Sequence, residues 1–168
     1  ALPIFEPRKA PRHAPIAYFG GDVTLPGAVT AAAWGSLGTG THVTRERRKI
    51  RFLSRGSRQL LGLRTVLGRH PLSLIVLDEP WEALDPDAAK WLTATLEAKR
   101  DKRAVLVLAS DRLQDLAGLC DAYVFLTGGQ PSVFKAQEIT SVGPVTAALL
   151  TEIFDRVRSG PSSLRVAS

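Results

Sequence analysis

The spacing of apolar positions changes character along the chain. In residues 57–67, Leu60, Leu63 and Leu67 fall on one helical face, whereas 73–77 is a continuous β-rich apolar run that predicts a strand buried on both faces. The next helix is announced by Asp85 at an N-cap, Pro86 at the first helical position and Asp87 in the first turn. Leu92 and Leu96 carry it at i, i+4 spacing as far as Arg100. A second fully apolar strand is predicted over 104–109, a short helix over 111–119 and a third strand over 122–127. Gly128 and Gly129 then turn the chain into a hairpin partner at 132–135. Pro144 opens a last helix, with Val145, Leu149 and Ile153 on one face, that stops at Gly160. Strands alternating with helices predict an α/β fold, with a mainly parallel sheet flanked by helices and a C-terminal β-hairpin and helix. A carboxylate placed in the first strand, as in Val76→Asp, is expected to unfold it.

The amino-terminal part is punctuated differently. Pro3, Pro7, Pro11 and Pro15 deny helix interiors and central strands, so 1–15 reads as an extended leader, without the apolar centre of a secretory signal. Residues 16–19 form a short apolar stretch closed by Gly20 and Gly21, 29–34 one or two helical turns, and 35–41 a glycine-rich loop.

Composition narrows the class. With 168 residues, 45% apolar and 23% charged, the chain is one ordinary globular domain in size, and no run is long enough to span a membrane. The absence of methionine and the start at Ala1 read as a fragment. The one cysteine, Cys120, allows no internal disulfide, which points to an intracellular protein, and its apolar surroundings make it a buried small hydrophobe. The formal charge of +6 favours phosphate-bearing partners without choosing among them. Arg45, Arg47, Arg48, Lys49, Arg51, Arg55 and Arg58 crowd into 45–58. They read first as a solvated helix face, with a lipid-headgroup contact or the shoulder of a nucleotide site as alternatives. His13, His42 and His70 stand apart, with no ligand partners at zinc spacing. Trp81 and Trp91 are expected to pack the helix between 86 and 100.

The chemistry concentrates at Leu74-Ile75-Val76-Leu77-Asp78-Glu79-Pro80. Four apolar residues ending in two carboxylates put those charges at the carboxyl end of a buried strand, where open α/β sheets bind ligands. An aspartate there can hold Mg²⁺, and a glutamate one residue on can position water for phosphoryl transfer. Upstream, Leu53-Ser54-Arg55-Gly56-Ser57-Arg58-Gln59 joins a hydroxyl and a glycine to a helix start that presents backbone N–H groups to a phosphate. Downstream comes Glu82-Ala83-Leu84-Asp85-Pro86.

This order and spacing resemble the ATP-binding domains of ABC transporters, with their LSGGQ-x-Q signature, Walker B strand ending in Asp-Glu-Pro and Ala-Leu-Asp D-loop. The resemblance covers roughly residues 16–135. Residues 16–22 look like the Q-loop strand, with Gly21 in place of glutamine, and 105–111 like the strand to the H-loop, with Ser110 in place of histidine. The phosphate loop, GxxGxGK followed by Ser or Thr, is not found. Gly35, Gly38 and Gly40 mimic its glycines, but Thr41 and His42 stand where lysine and the Mg²⁺-binding hydroxyl should be.

The resemblance implies a P-loop NTPase-like fold of ABC type over 16–160, with a shortened helical subdomain at about 28–58 and a tail at 161–168. It implies ATP and Mg²⁺ as cofactors, Asp78 as the metal-holding carboxylate, and Glu79 as the catalytic group. Ser54, Arg55, Gly56 and Ser57 would face the γ-phosphate held by a second ABC-type ATP-binding domain, with Asp85 linking the two sites. The further partner would be a transmembrane permease subunit, and the place the cytoplasmic face of a membrane, with transport driven by ATP. A degenerate, non-hydrolysing partner or regulatory subunit is the alternative, since phosphate-loop lysine, Q-loop glutamine and H-loop histidine are all missing. A nucleic-acid-handling ATPase head ranks last, for want of any long heptad segment.

Overall fold

The computed structural model describes residues 15–20, 24–39, 44–68, 72–140 and 143–159. The leader up to residue 14, Gly21, the three histidines and the tail lie outside them. The chain forms two compact units, one up to Ala109 and one from Ser110.

The first unit is built on a parallel sheet of β1 (Ile16–Phe19), β2 (Leu74–Asp78) and β3 (Val105–Ala109), in that order, with β2 central. The ladders align Phe19 with Leu77 and Leu77 with Leu108, and run one rung further between Asp78 and Ala109. Helix α2 (Arg55–Leu67) connects β1 to β2 and α3 (Pro86–Asp101) connects β2 to β3. Crossovers of one hand that advance across a sheet in one direction lay both helices on the same face. The burial follows that rule. Ala17, Phe19, Ile75 and Leu77 are buried with Leu63, Leu92 and Leu96 of the helices, while Ile16, Tyr18, Val105 and Val107 on the opposite face are each at least 50% exposed.

The expectation that 73–77 and 104–109 are covered on both faces is therefore corrected. Continuous apolar runs report hydrophobicity, but coverage is decided by where the connecting helices fall. Val76 belongs to the open face with Tyr18 and Val107, its register partners. Gly62 of α2 lies so near the ring of Phe19 that a Cβ there would overlap it.

Helix α1 (Ala31–Thr39) begins after Thr30, whose hydroxyl accepts the Ala33 N–H at 3.3 Å. It runs through Gly35 and Gly38, so the loop expected from residue 35 is helix as far as Thr39, and residues 40–43 lie outside the description. Local glycine content argued for a loop, but packing on α2 overrides it: Ala31, Ile50, Leu53 and Leu61 close a small core with Leu25 and Trp34. The basic run is exposed throughout, as a solvated face should be, but residues 45–49 lie outside any helix and Ile50–Phe52 is a 3₁₀ turn, so only Arg55 and Arg58 are α-helical.

In the second unit, β4 (Ala122–Thr127) pairs antiparallel with β5 (Gln130–Lys135) across Gly128 and Gly129, both at positive φ as a two-residue hairpin turn requires. Tyr123 and Phe125 pack with Val145 and with Leu150 of α6 (Ala147–Ser159). Helix α6 starts later than Pro144 because the Thr146 hydroxyl accepts the Leu149 N–H. The helix expected over 111–119 shrinks to the single turn α4 (Leu113–Leu116). A further turn, α5 (Ala136–Ile139), was not expected; Glu138 accepts the Lys135 N–H at its start.

Candidate functional site

The carboxyl end of β2 and the amino end of α2 meet in the first unit. Ser54 is extended and caps α2, its Oγ accepting the Ser57 N–H at 3.1 Å and donating to Ser57 Oγ at 2.9 Å. Gly56 follows because nothing larger fits: a Cβ would stand 2.3 Å from the Ala83 carbonyl oxygen. Arg55 reaches across to pair with Glu82, both side chains well exposed. One turn on, Gln59 Nε2 donates to the carbonyls of Glu79 and Pro80, at 3.2 and 3.3 Å. The amino end of α2 is thus tied at three points to the loop that follows the carboxylates.

That loop is tightly wound. Glu79 adopts φ 45° and Ala83 φ 58°, while Glu82 N–H donates to the Glu79 carbonyl and Leu84 N–H to that of Trp81. Glu79 N–H donates to the Ala109 carbonyl at 2.8 Å, extending the β2–β3 ladder past Asp78. The Asp78 side chain is exposed and that of Glu79 half-buried. Beneath them Trp81 is buried and donates from Nε1 to Thr93 Oγ1 of α3, which bears out its packing role. Asp85 caps α3 through the Ala88 N–H at 2.8 Å.

Asp78, Glu79, Asp85 and the 54–57 segment all lie in this first unit. Ser110 opens the second unit, where its Oγ accepts the Arg112 N–H at 3.2 Å, and Gly21 lies outside the described residues. Gln59 and Glu82 were not singled out from the sequence. The final glutamine of the Leu53-to-Gln59 motif was the signal for the first; the second depended on a contact 27 residues away.

Among the described residues no group of three or more His, Cys, Asp or Glu side chains forms a metal-holding cluster. Mg²⁺ commonly takes one or two carboxylates and completes its shell with waters and substrate phosphates. The consecutive, accessible Asp78 and Glu79 fit that role and do not fit an all-protein cage. The capped end of a 13-residue helix, with two hydroxyls and a bare Gly56, likewise suits phosphate oxygens.

No protein-family model matches the chain. It is 36% identical over 101 residues to a protein of Streptomyces coelicolor assigned as an ABC transporter ATP-binding protein, covering 58% of this chain and 18% of that one. It is 38% identical over 85 residues to the phosphonates import ATP-binding protein PhnC of Hyphomonas neptunium, covering 50% of this chain and 32% of PhnC. The solved structure of an ATP binding subunit of an ABC transporter superposes with TM-score 0.67 at 19% identity, over 82% of this chain and 68% of that subunit. The chain resembles ABC-type ATP-binding domains in sequence and in fold. It spans about a fifth to a third of the length of those two relatives. The fold is the ABC-type P-loop NTPase fold, with parallel sheet, flanking helices and C-terminal antiparallel hairpin. Among the described residues no helix is long and apolar enough to cross a membrane.

Proposed function

We propose that the chain supplies the signature and Walker B parts of an ABC-type ATP-binding subunit that couples ATP binding and hydrolysis to transport across a membrane. The observation that carries this reading is the junction of α2 with the loop after β2. Gly56 against Ala83, Gln59 on the Glu79 and Pro80 carbonyls, and Arg55 on Glu82 make the phosphate-suited helix end and the carboxylates move as one piece.

On this reading Asp78 holds Mg²⁺ and Glu79 orients the attacking water and accepts its proton. Ser54, Arg55, Gly56 and Ser57 face the γ-phosphate held by a second ABC-type ATP-binding domain. Asp85, fixed at the start of α3, passes the position of one site to the other. Bound Mg²⁺ would neutralise the charge that develops on the phosphates. The proposed partners are that second domain and a permease subunit at the cytoplasmic face of a membrane.

A second reading, the non-hydrolysing partner, is favoured by Ser110. Its hydroxyl caps a backbone N–H, and serine carries no imidazole to titrate near neutral pH. Steady-state ATPase of the reconstituted assembly separates the two. Glu79→Gln should lower turnover at least ~10²-fold if this site hydrolyses ATP, the scale for losing a general base. Unchanged turnover with Glu79→Gln but collapse with Ser54→Arg would establish the non-hydrolysing partner. Negligible effects of both substitutions would count against either reading.

A further inference from the structure

A second feature of the first unit lies along α3, within a groove of about 520 Å³ formed with the carboxyl end of α2. Its floor is Trp91, Ala94 and Ala98, three or four residues apart on one face of α3, continued by Lys102 at the carboxyl cap of that helix. At 1.5 Å per residue this face extends for roughly 16 Å, about three helical turns. Among the described residues three cations line the groove, Arg64, Lys99 and Lys102, and no carboxylate does. The Arg64 guanidinium lies over the Trp91 ring, 5.2 Å from its centroid. Neither Arg64 nor Lys102 makes an ion pair among the described residues. Lys99 is 7% exposed, and burial together with the neighbouring Lys102 ammonium pushes its pKa down.

We propose that this groove docks an acidic amphipathic α-helix of a partner protein. The shape selects a helix, because the groove is open and elongated and the small side chains of Ala94 and Ala98 let another backbone approach closely. The chemistry selects acidic residues. Carboxylates on the incoming helix would meet Arg64 at one side and Lys102 at the other. An apolar stripe between them would cover Trp91. This surface is distinct from the carboxylates and the amino end of α2, so the inference stands whether or not the proposed ATPase role does.

The test uses the full 168-residue chain and two labelled helical peptides of about 18 residues, alike in their leucine stripe and flanked by glutamates in one and lysines in the other. Fluorescence anisotropy should show the acidic peptide binding with a dissociation constant of order 10 μM and the basic one at least ~10-fold more weakly. The double variant Arg64→Glu/Lys102→Glu should reverse that preference. Ala98→Trp, which fills the groove without changing charge, should abolish binding while circular dichroism confirms the fold. Equal binding of both peptides, a change under twofold in the charge-reversed variant, or undiminished binding to Ala98→Trp would overturn the proposal. So would full displacement of the acidic peptide by anionic vesicles or duplex DNA, which would mark an unselective basic surface.

Discussion

Glu79 is held in the left-handed region, where a non-glycine residue is strained, and it stays there because its N–H completes the β2–β3 ladder and its carbonyl takes Gln59. Glutamine has the same backbone preferences, so Glu79→Gln changes the carboxylate and leaves the turn intact, which keeps the ATPase test free of folding effects. Gly56 is the opposite case. Alanine in a helix interior gains up to ~1 kcal/mol over glycine, but a methyl 2.3 Å from the Ala83 carbonyl must displace a backbone already wound by two left-handed residues. Overpacking of this kind costs about 1–3 kcal/mol. Gly56→Ala should therefore lower stability by about 1–2 kcal/mol, read as a reduced urea midpoint with unchanged slope, and a raised midpoint would refute the close approach. Asp85 was legible as a helix cap because capping is local. The need for glycine at 56 was not, because the atom that demands it belongs to a loop 27 residues away.

At the level of elements the sequence located almost every strand and helix and misjudged their surroundings. The strand β2 was readable from its β-branched apolar run, yet that run is the same on both faces, and only the crossover geometry tells them apart. Ile75 and Leu77 are fully buried, whereas Val76 is half-covered on the open face. Ile75→Asp should unfold the first unit, since an unpaired buried carboxylate costs several kcal/mol against a total of about 5–15. Val76→Asp, expected from the sequence to do the same, should retain a cooperative thermal transition. Equal loss of structure in both would restore two-sided burial. Helix α1 was half-missed for a related reason: glycine frequency is a local signal, and a helix that fills a small core tolerates two glycines.

For the molecule as a whole, the open sheet face is the feature that sequence could not supply. Ile16, Tyr18, Val105 and Val107 present apolar side chains from two edge strands, with Leu74 and Val76 between them. Such contiguous apolar surface favours association. The double variant Val105→Lys/Val107→Lys should leave the melting temperature nearly unchanged, because surface substitutions away from packed features fall within about ±0.5 kcal/mol. It should also cut the fluorescence of a bound hydrophobic dye severalfold. A large drop in melting temperature would mean that the face is covered in solution. The order and spacing of the segments 53–59, 74–80 and 82–86 made the ABC-type fold legible in the sequence, because those segments encode local backbone geometry.

The contact between Gly62 and Phe19 joins residues 43 positions apart, and neither can yield, since the ring is 3% exposed and the glycine lies inside a helix. Evolution must therefore treat the two as a single character. In sequences descended from a common ancestor, any alanine or serine at the position of Gly62 should be accompanied by a residue smaller than phenylalanine at that of Phe19, and the pair should stand out as correlated even where Asp78 and Glu79 are replaced.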